Sequence, residues 1–387
     1  MSRSGSEVSR HSPVASRHEP GTADELAELL GAAGEPVRIV GGGTKLAWGG
    51  PVEAELKLST AGLDQILEHN AGDLTAVLGA GVPLARGQQK FDEAGQMLAL
   101  DPPDRGATIG GVVATADSGP LRQRYGAPRD LVVGVKAALA DGSVIKSGGR
   151  VIKNVAGYDL GKLLTGSFGT LGTIVEVAVR LHPRPERTAT AAGGTTDSAT
   201  LAAAALELSH AALEDLSLDL RWGGGDGALL ARFGGAAPRP QAEAALRLMK
   251  RAGLDGSLVD DDEGVWSLQR EGQRSADGAV VRVSGVASQT ADLLAAATRL
   301  GARVVGRAGL GLSWIVIEDR SSEEAATAVE ELRRDLDPSP CAVLDAPPEV
   351  RTRIDGWGPI DPALLGLMHR VRERFDPAGI VNPGVLP

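Results

Sequence analysis

One segment joins a strand-like apolar run to three consecutive glycines: Val37-Arg38-Ile39-Val40-Gly41-Gly42-Gly43-Thr44-Lys45-Leu46. Glycine has no Cβ and reaches positive φ at little cost, so successive backbone N–H groups in such a turn can point into one concavity. A concavity of this kind binds phosphate or pyrophosphate. A bare run of glycines is also typical of an ordinary connector. The segment alone therefore leaves two interpretations open, a nucleotide cradle and a linker.

The length and composition restrict the class of protein. A chain of 387 residues fits two domains, each able to bury its own core. Cys341 is the one cysteine, so the chain cannot form an intramolecular disulfide or hold a four-thiolate iron–sulfur cluster by itself. The formal net charge of -10 argues against nucleic acid as the main partner. We expect a cytoplasmic protein without a transmembrane segment, whose membrane contact is at most peripheral, at the inner face and through partners.

Sequence patterns divide the chain into four parts. Residues 1–18 are rich in Ser and Arg and lack the apolar run of a secretory signal, which predicts a disordered tail. Residues 19–184 mix short strands with helices and form the first domain. The elements predicted there are a helix from Thr22 that ends before Pro36, strands at Val37–Val40, Ala54–Leu58, Leu74–Leu78 and Thr173–Leu181, a helix at Pro83–Glu93, and a hairpin that turns at Asp141-Gly142.

From residue 185 to residue 346, Ala-rich helices alternate with strands and the dense glycine motifs stop. This order is close to a duplicated β-α-β-β-α-β arrangement, which predicts a ferredoxin-like α+β domain with helices on one face of an antiparallel sheet. Residues 347–387 are predicted to add a helix, Pro362–Phe375, and a compact turn that pack back on the first domain. The second domain is expected to have helices at Ser198–Ala211, Gln241–Ala252, Gln289–Leu300 and Ser322–Leu336, and strands at Leu216–Arg221, Ala228–Phe233, Ala279–Val283, Arg303–Arg307 and Leu312–Ile317.

Standard nucleotide and metal motifs do not match. A P-loop requires Ser or Thr after its lysine, but Leu46 follows Lys45, and a dinucleotide fingerprint requires a third glycine where Leu46 stands. The six histidines show neither HExxH nor paired-ligand spacing, so we expect no protein-built metal site.

Three glycine-rich segments nevertheless occur in an order that resembles a known family. They are residues 39–46, residues 101–119 with Asp-Pro-Pro and Ala-Thr-Ile-Gly-Gly-Val-Val-Ala-Thr, and residues 166–176, Gly-Ser-Phe-Gly-Thr-Leu-Gly-Thr-Ile-Val-Glu. Together with Phe-Asp-Pro-Ala-Gly-Ile-Val-Asn-Pro-Gly at residues 375–384, they resemble the FAD-binding domain of the vanillyl-alcohol oxidase and p-cresol methylhydroxylase (PCMH) type. More narrowly, Lys-Asn-Val-Ala-Gly-Tyr-Asp-Leu at residues 153–160 is similar to the FAD-binding subunits of glycolate oxidases.

The resemblance implies a mixed α/β fold in which two subdomains grip FAD and the second domain forms a cap. The backbone N–H groups that would wrap the pyrophosphate belong to Gly41, Gly42, Gly43, Thr44, Lys45 and Leu46. The path of the pyrophosphate and isoalloxazine would be lined by Pro102, Thr108, Gly110, Gly111, Thr115, Ser118 and Gly119. The other end of the cofactor would lie near Gly169, Gly172 and Ile174. Tyr158 either faces the flavin or packs as a structural side chain.

Two departures from the family pattern affect the expected chemistry. Some members attach FAD covalently through a histidine in the glycine cradle, and Thr44 stands at that place here, so we expect non-covalent FAD. Members that oxidise 2-hydroxy acids carry a Gly-His…Gly-Asp-Gly-Asn…His motif in the cap, which binds a metal and the substrate. Residues 186–348 contain a single histidine, His210, and no such motif. The resemblance therefore assigns no catalytic residue.

Three hypotheses for the function remain. The first is an FAD-binding subunit of a glycolate-oxidase-like complex, in which a sister flavoprotein abstracts the hydride from a small 2-hydroxy acid and an iron–sulfur subunit carries electrons onward. The second is a stand-alone flavin dehydrogenase that moves a hydride from C2 of the acid to flavin N5, with Arg221, Arg282 or Arg307 as a candidate carboxylate clamp. The third is a degenerate nucleotide-binding scaffold without a redox role, against which the retention of all three glycine segments argues.

Overall fold

The computed structural model describes residues 16–103, 105–149, 159–259 and 261–387. Within these ranges, four sheets and the helices packed on them build a mixed α/β first domain and an α+β cap. The fold class is the one expected from the sequence. The domain limits at residues 184 and 346 stay predictions.

The described residues of the first domain form ten strands and six helices. The strands are β1 (Ser16–His18), β2 (Val37–Val40), β3 (Leu56–Ser59), β4 (Ile66–Asn70), β5 (Thr75–Gly79), β6 (Gln96–Met97), β7 (Val132–Ala138), β8 (Val144–Gly148), β9 (Thr173–Arg180) and β10 (His182–Pro183). The helices are α1 (Ala23–Gly31), α2 (Leu84–Asp92), α3 (Ile109–Thr115), α4 (Arg122–Tyr125), α5 (Pro128–Leu131) and α6 (Leu160–Leu164).

Two sheets of different type hold the glycine segments of the first domain. A parallel sheet has the order β1-β3-β2, and an antiparallel sheet has the order β4-β5-β9-β7-β8. Strands β6 and β10 form a separate short pair. The first glycine segment leaves the end of β2, whereas the third leads into β9, so the two sheets bring distant parts of the sequence to one place.

Helix α1 supports β2 from one side. The Thr22 side chain caps this helix by accepting a hydrogen bond from the N–H of Glu25 at 3.2 Å. Leu30 is fully buried and packs in one cluster with Val37 of β2 and Val381 near the C-terminus. The helix predicted from Thr22 is therefore present, although it ends at Gly31, before the predicted Gly34-Pro36 boundary.

Helix α3 was not expected from the sequence, which predicted only close packing there. Its Gly-Gly pair and β-branched residues are poor helix formers. The helix forms because the Thr108 side chain accepts a hydrogen bond from the N–H of Gly111 at 3.3 Å. In addition, Gly110 lies so close to Ala80 that a Cβ at Gly110 would be 2.6 Å from the Ala80 Cβ. Tertiary packing thus overrides local helix propensity.

The cap repeats one β-α-β-β-α-β unit twice, as the sequence predicted. The first unit comprises β11 (Thr188–Thr195), α7 (Ser198–Ser209), β12 (Asp215–Gly223), β13 (Asp226–Gly234), α8 (Pro238–Arg251) and β14 (Asp255–Val259), followed by α9 (Glu263–Glu271), which was not predicted. The second comprises β15 (Ala279–Ser284), a 3-10 turn (Ala287–Gln289), α10 (Thr290–Arg299), β16 (Arg303–Arg307), β17 (Leu312–Ile317), α11 (Ser322–Asp335) and β18 (Cys341–Val343).

The two units share one antiparallel sheet of eight strands. Its order is β14-β11-β13-β12-β16-β17-β15-β18, and β12 and β16 join the two halves. One face carries α7, α8, α10 and α11 over a core that includes Leu201, Leu294 and Val329. On the opposite face, Val280 and Trp314 pack with Trp48 of the first domain. This second face is the one that meets the glycine segments.

The chain ends with α12 (Pro348–Arg351), α13 (Pro362–Phe375) and a turn that contacts the first domain. The N–H of Val37 donates to the carbonyl oxygen of Ile380 at 2.8 Å, and the N–H of Asn382 donates to the carbonyl oxygen of Val37 at 2.9 Å. The C-terminal turn therefore extends the edge of β2. Among the described residues, no helix has the length and apolar character needed to cross a membrane.

Candidate functional site

A cleft of about 800 Å³, measured out to its mouth, lies in the first domain. The lining comes mainly from four segments: the loop after β2, the start and middle of α3, the turn before β9, and the C-terminal turn. Segments that are far apart in the sequence therefore share one cavity.

The loop after β2 forms a wall that has no room for side chains. A Cβ at Gly41 would lie 2.6 Å from Oγ1 of Thr108, and a Cβ at Gly42 would overlap the carbonyl oxygen of Gly106. Gly43 has φ +74°, a conformation that L side chains rarely adopt. The wall is thus built from backbone, which is the arrangement that a large phosphate-bearing cofactor needs to approach closely. On this observation the residues present fit the expected FAD.

The turn before β9 and the C-terminal turn are held together by Asn382. Its Nδ2 donates to the carbonyl oxygen of Phe168 at 2.8 Å, and its Oδ1 accepts from the N–H of Ile39 at 2.8 Å. Both Phe168 (φ +54°) and Asn382 (φ +44°) adopt left-handed backbone, which asparagine tolerates better than most residues. One side chain therefore fixes β2 against the third glycine segment.

Most of the predicted FAD residues line this cavity. The predicted residues that line it are Gly41, Gly42, Gly43, Thr44, Lys45, Leu46, Thr108, Gly110, Gly111, Thr115, Gly169 and Ile174. Four others are not in the lining: Pro102, Ser118, Gly119 and Gly172. Gly119 packs against Asp101, where a Cβ would overlap the carbonyl oxygen, and Gly172 has φ +137°. Tyr158 lies outside the described residues, and the assignment of all these residues to FAD stays a prediction.

Other lining residues were not foreseen. They are Arg38, Ile39, Trp48, Val52, Thr60, Ala80, Ala114, Phe168, Thr173, Asn382 and Val385. Among them, Asn382 is the residue that the sequence could have predicted. Asn-Pro-Gly near the C-terminus is a turn pattern in which asparagine accepts positive φ. The apolar ones give no such signal, since Val52 or Ala114 could equally belong to any core.

A buried ion pair stands at the edge of the cavity. Nζ of Lys45 is 3.1 Å from Oδ2 of Asp117, and the two side chains are only 6% and 4% exposed. Lys45 also lies over the Trp48 ring, with Nζ 5.7 Å from the ring centroid. The Asp117 carboxylate gives the buried Lys45 side chain a partner of opposite charge. It brings a cation to a wall otherwise made of glycine backbone.

The cap contacts the glycine loop through Arg274. Its Nη2 donates to the carbonyl oxygen of Thr44 at 2.9 Å, and its Nε and Nη2 bond to the Asp345 carboxylate at 2.5 and 3.0 Å. Nε1 of Trp48 donates to the same carboxylate at 3.0 Å. All of these side chains are nearly buried. The cap therefore helps to fix the position of the glycine loop.

A zone that we call the seam lies where the cap sheet meets the first domain. It consists of Asp101, Ser118 and Arg122 from the first domain and Asp219, Gln273, Arg282 and Arg307 from the cap. Nε2 of Gln273 donates to the carbonyl oxygen of Ser118 at 3.1 Å across it. Helix α4, which begins with Arg122, packs on β12 of the cap, and Nη2 of Arg124 is 4.0 Å from a Glu214 carboxylate oxygen. The seam is thus polar, in contrast to the cores on either side.

Burial perturbs the acids of the seam. Burial raises the pKa of Asp101 to about 7, although Arg307 and Arg270 oppose the shift. Burial likewise raises the pKa of Asp219 to about 6, in spite of an ion pair in which Nη1 of Arg307 is 2.6 Å from its Oδ2. The Asp101 carboxylate accepts from the N–H of Leu121 at 3.1 Å. Two carboxyl groups with raised pKa values therefore lie near one arginine.

The three arginines considered as carboxylate clamps have different environments. Arg221 is exposed on β12, and Arg307 is fully buried in its pair with Asp219. Arg282 lies partly exposed on the cap face that meets the first domain, and its Nε is buried without a hydrogen-bond partner in the described part of the chain. Of the three arginines, only Arg282 both lies in the seam and has no ion-pair partner among the described residues.

Comparison with known proteins identifies the type of domain. Residues 16–148 match the sequence model described as "FAD binding domain". The chain is 28% identical over 411 aligned positions to an uncharacterized FAD-linked oxidoreductase of Mycobacterium tuberculosis, an alignment that covers 95% of this chain and 90% of that protein. A solved structure of alkyldihydroxyacetonephosphate synthase is similar in fold, with a TM-score of 0.67 at 15% identity, over 95% of this chain and 76% of the other.

Two relatives are more similar over a shorter region. The chain is 40% identical over 174 residues to D-lactate dehydrogenase of Archaeoglobus fulgidus, which is 43% of this chain and 38% of that enzyme. It is 38% identical over 152 residues to glycolate oxidase subunit GlcE of Escherichia coli, which is 39% of this chain and 43% of that subunit. These alignments cover less than half of each relative.

Proposed function

We propose that this FAD-dependent oxidoreductase, whose residues 16–148 form an FAD-binding domain of the PCMH type, is the FAD-binding subunit of a complex that oxidises a small 2-hydroxy acid. The similarity to a glycolate oxidase subunit and to a D-lactate dehydrogenase supports the substrate class. In this proposal the subunit carries electrons through non-covalent FAD, and a sister flavoprotein takes the hydride.

The composition of the cap is the observation that carries the subunit assignment. Residues 186–348 contain one histidine, His210, and it is exposed. The cap face that meets the first domain carries Trp314, Arg282 and the Arg307–Asp219 pair, and His210 is not in the seam. A chain that abstracted a proton from the substrate hydroxyl would need a base with access to it. Asp101 and Asp219 have raised pKa values but do not line the cavity, so we infer that the partner subunit supplies that base.

In the proposed site each part of the chain has a separate role toward FAD. When bound, FAD supplies a two-electron acceptor that can pass electrons on one at a time. The backbone of residues 41–46 would hold its pyrophosphate, and Lys45 would offset part of the negative charge. Arg274 would keep the loop in place through the Thr44 carbonyl. Thr44 has no imidazole with which to attach the flavin, which supports non-covalent binding.

An iron–sulfur subunit is proposed as the onward electron carrier because this chain is poorly equipped to hold a cluster. Cys341 is buried, and burial raises the pKa of its thiol to about 11. A thiol with so high a pKa is not a ready metal ligand. With one such cysteine in the sequence, we place the cluster in a partner. We also propose a cytoplasmic location, with membrane contact only through these partners.

The stand-alone dehydrogenase is the second candidate. The similarity to D-lactate dehydrogenase of Archaeoglobus fulgidus favours it, since that relative is itself a dehydrogenase. In this case the chain itself would move the hydride from C2 of the acid to the flavin. The carboxylate would then require an arginine near the cavity.

One experiment tests the proposal and separates the two candidates. The chain is purified alone, its visible spectrum is recorded, and glycolate or D-lactate is added without oxygen. We expect a yellow protein that releases its FAD on acid precipitation and keeps its colour with either acid until a partner subunit is added. Bleaching by the acid alone would favour the stand-alone enzyme. A protein that stays colourless even after incubation with FAD would contradict both.

A further inference from the structure

We propose that Arg38 and Lys57, neighbours on the parallel sheet of the first domain, form a cationic row that draws the diphosphate group of FAD into the cavity. The identity of the ligand rests on the proposed function, in which the cavity holds FAD. The position and the charge of the row follow from the sheet register and from the ion pairs of the described residues.

The two side chains of the row lie on the same face of the sheet. Arg38 of β2 and Lys57 of β3 are partners in a parallel ladder, in which neighbouring strands are about 4.8 Å apart. Val37 and Leu58, the residues next to them in each strand, belong to the apolar core on one side of this sheet. Because successive side chains of a strand alternate between faces, Arg38 and Lys57 lie side by side on the other face.

The row connects the cavity with its surroundings. Arg38 is half-buried and lines the cavity, and its Nη2 donates to the carbonyl oxygen of Leu46 at 2.7 Å. Since Leu46 is the last residue of the glycine segment, the guanidinium stands at the end of the backbone wall. Lys57 is exposed and is not in the lining. One cation therefore lies at the site, and the other lies beside it in contact with solvent.

The protein does not neutralise the row. Neither of its two cations has an ion-pair partner among the described residues, whereas the cations on either side are paired. Arg17 of β1, in register with Lys57, pairs with Glu19 at 3.4 Å. Lys45, the other cation in the cavity lining, pairs with Asp117 at 3.1 Å. Like charges on adjacent strands are unfavourable, so the row is suited to an anion that carries two negative charges, as a diphosphate does.

The charge of the whole chain gives the row a role in association. The formal net charge is -10, so the overall field of the protein repels a negatively charged cofactor. A local patch of the opposite sign offsets this repulsion and raises the rate of encounter, and salt screens the effect beyond about 8–10 Å. Lys57 then acts on the approach of FAD, whereas Arg38 acts both on the approach and on the bound diphosphate.

The test is stopped-flow mixing of the FAD-free full-length protein with FAD, followed by flavin fluorescence, between about 25 and about 400 mM sodium chloride. We expect the association rate constant of the wild type to fall as the salt concentration rises. Lys57→Gln should lower this constant about 3- to 10-fold at low salt, and the difference should vanish at high salt. It should leave the dissociation rate unchanged, because Lys57 lies outside the cavity lining.

Arg38 variants separate attraction at a distance from binding at the site. Arg38→Gln should slow association as Lys57→Gln does and should also speed dissociation, because it removes a charge at the diphosphate and the bond to the Leu46 carbonyl. Arg38→Lys should restore the association rate but not the slow dissociation, since lysine keeps the charge without the planar set of donors. A purely structural arginine would give the same loss in both variants, without dependence on salt.

Lys146→Gln is the matched control. Lys146 is also an exposed lysine in a strand, β8, and is in register with another cation, Lys136, but it is not in the cavity lining. The substitution changes the net charge of the protein by the same amount as Lys57→Gln. It should leave the association of FAD as in the wild type at every salt concentration.

Three outcomes would overturn the cationic row. They are an association rate of the wild type that does not depend on salt, an unchanged association rate in Lys57→Gln, or an equal effect of Lys146→Gln. Each of these leaves the proposed function standing, because FAD still binds. A wild-type protein that stays colourless after incubation with FAD contradicts the proposed function, and the row with it.

Discussion

The cavity wall and the seam lie side by side but are built in opposite ways. At the wall, residues 41–43 contribute backbone and no side chains, and a methyl group at Gly42 would already overlap Gly106. In the seam, charged side chains from two domains meet, and some of their donors have no partner among the described residues. The wall therefore tolerates almost no change of residue type. The seam is expected to respond mainly to changes of charge.

The difference indicates a division of function between the wall and the seam. In the proposed function the wall of glycine backbone holds FAD, a cofactor that stays the same from one turnover to the next. The properties of the seam depend instead on charge and pH, because burial raises the pKa of carboxyl groups such as that of Asp101. The following variants test this division, and they are ordered by the size of the expected effect.

The largest effect is expected for Gly42→Ala. The new Cβ would overlap the carbonyl oxygen of Gly106, so the loop has to move. We expect FAD binding at least about 100-fold weaker, a loss of about 2.7 kcal/mol, measured by fluorescence titration of the apoprotein. Gly42→Asp should abolish binding, because it also places a carboxylate against the pyrophosphate. Gly34→Ala, where a Cβ meets no atom within 4 Å, is the control. A Gly42→Ala protein with a full flavin complement would show that this loop is not the cradle.

Asn382→Ala should have the next largest effect. It leaves the N–H of Ile39 and the carbonyl oxygen of Phe168 without their partners. We expect the free energy of unfolding to fall by about 2 kcal/mol in a urea titration, with weaker FAD binding. Asn382→Asp keeps the acceptor for Ile39 but sets a buried carboxylate oxygen against the carbonyl oxygen of Phe168, so it should lose at least as much. Equal stability of all three proteins would mean that the C-terminal turn does not hold the wall.

Arg274→Lys tests whether the cap contributes to the wall. Lysine keeps the positive charge but cannot bond to the Thr44 carbonyl and to both oxygens of Asp345 together. We expect the dissociation constant for FAD to rise about 10-fold, a change of about 1.4 kcal/mol. Arg303→Lys also breaks a two-point contact with a carboxylate, that of Glu318, and should leave FAD affinity unchanged. If both variants weaken FAD equally, the contact of the cap with the loop is not specific.

The smallest effect is expected for Asp101→Asn, and it depends on pH. Burial raises the folded-state pKa of Asp101 from 3.8 to about 7. Between those values the folded protein binds a proton that the unfolded chain releases, so stability falls as the pH rises through this window. Asparagine stays neutral and can still accept from the N–H of Leu121. We expect thermal unfolding to show a higher unfolding temperature than the wild type above pH 7 and a flatter pH profile.

The control for this variant is Asp64→Asn, which removes a carboxylate from a half-exposed surface pair with Arg86. It should leave the pH profile between 4 and 7 as in the wild type. An unchanged profile for Asp101→Asn would mean that the Asp101 carboxyl is ionised throughout this range in the folded protein.

The sequence predicted the wall better than the seam, and the reason is physical. The requirement for glycine at residues 41–43 comes from local backbone geometry, so it is visible in the order of residues. The same holds for the duplicated unit of the cap, because the alternation of helix and strand is local. The bonds of Asn382 to Ile39 and Phe168 span 343 and 214 residues, so only the folded chain reveals them.

The arginines illustrate what sequence patterns leave open. Arg221, Arg282 and Arg307 look alike in the sequence, since each lies in a strand of the cap. Their roles differ because Arg307 meets Asp219 from a neighbouring strand, whereas Arg282 faces another domain without a carboxylate partner among the described residues. Helix α3 was missed for a related reason, since contact with Ala80 outweighs the poor helix propensity of its glycines.

The bond between Asn382 and Ile39 also affects how the protein is made and handled. The ribosome adds Asn382 343 residues after Ile39, so β2 and the glycine loop leave the exit tunnel long before the residue that fixes them. The glycine loop is therefore without this support until the C-terminal turn has been made. A change at Val385 would likewise act directly on the cavity, because this residue of the C-terminal turn is part of the lining.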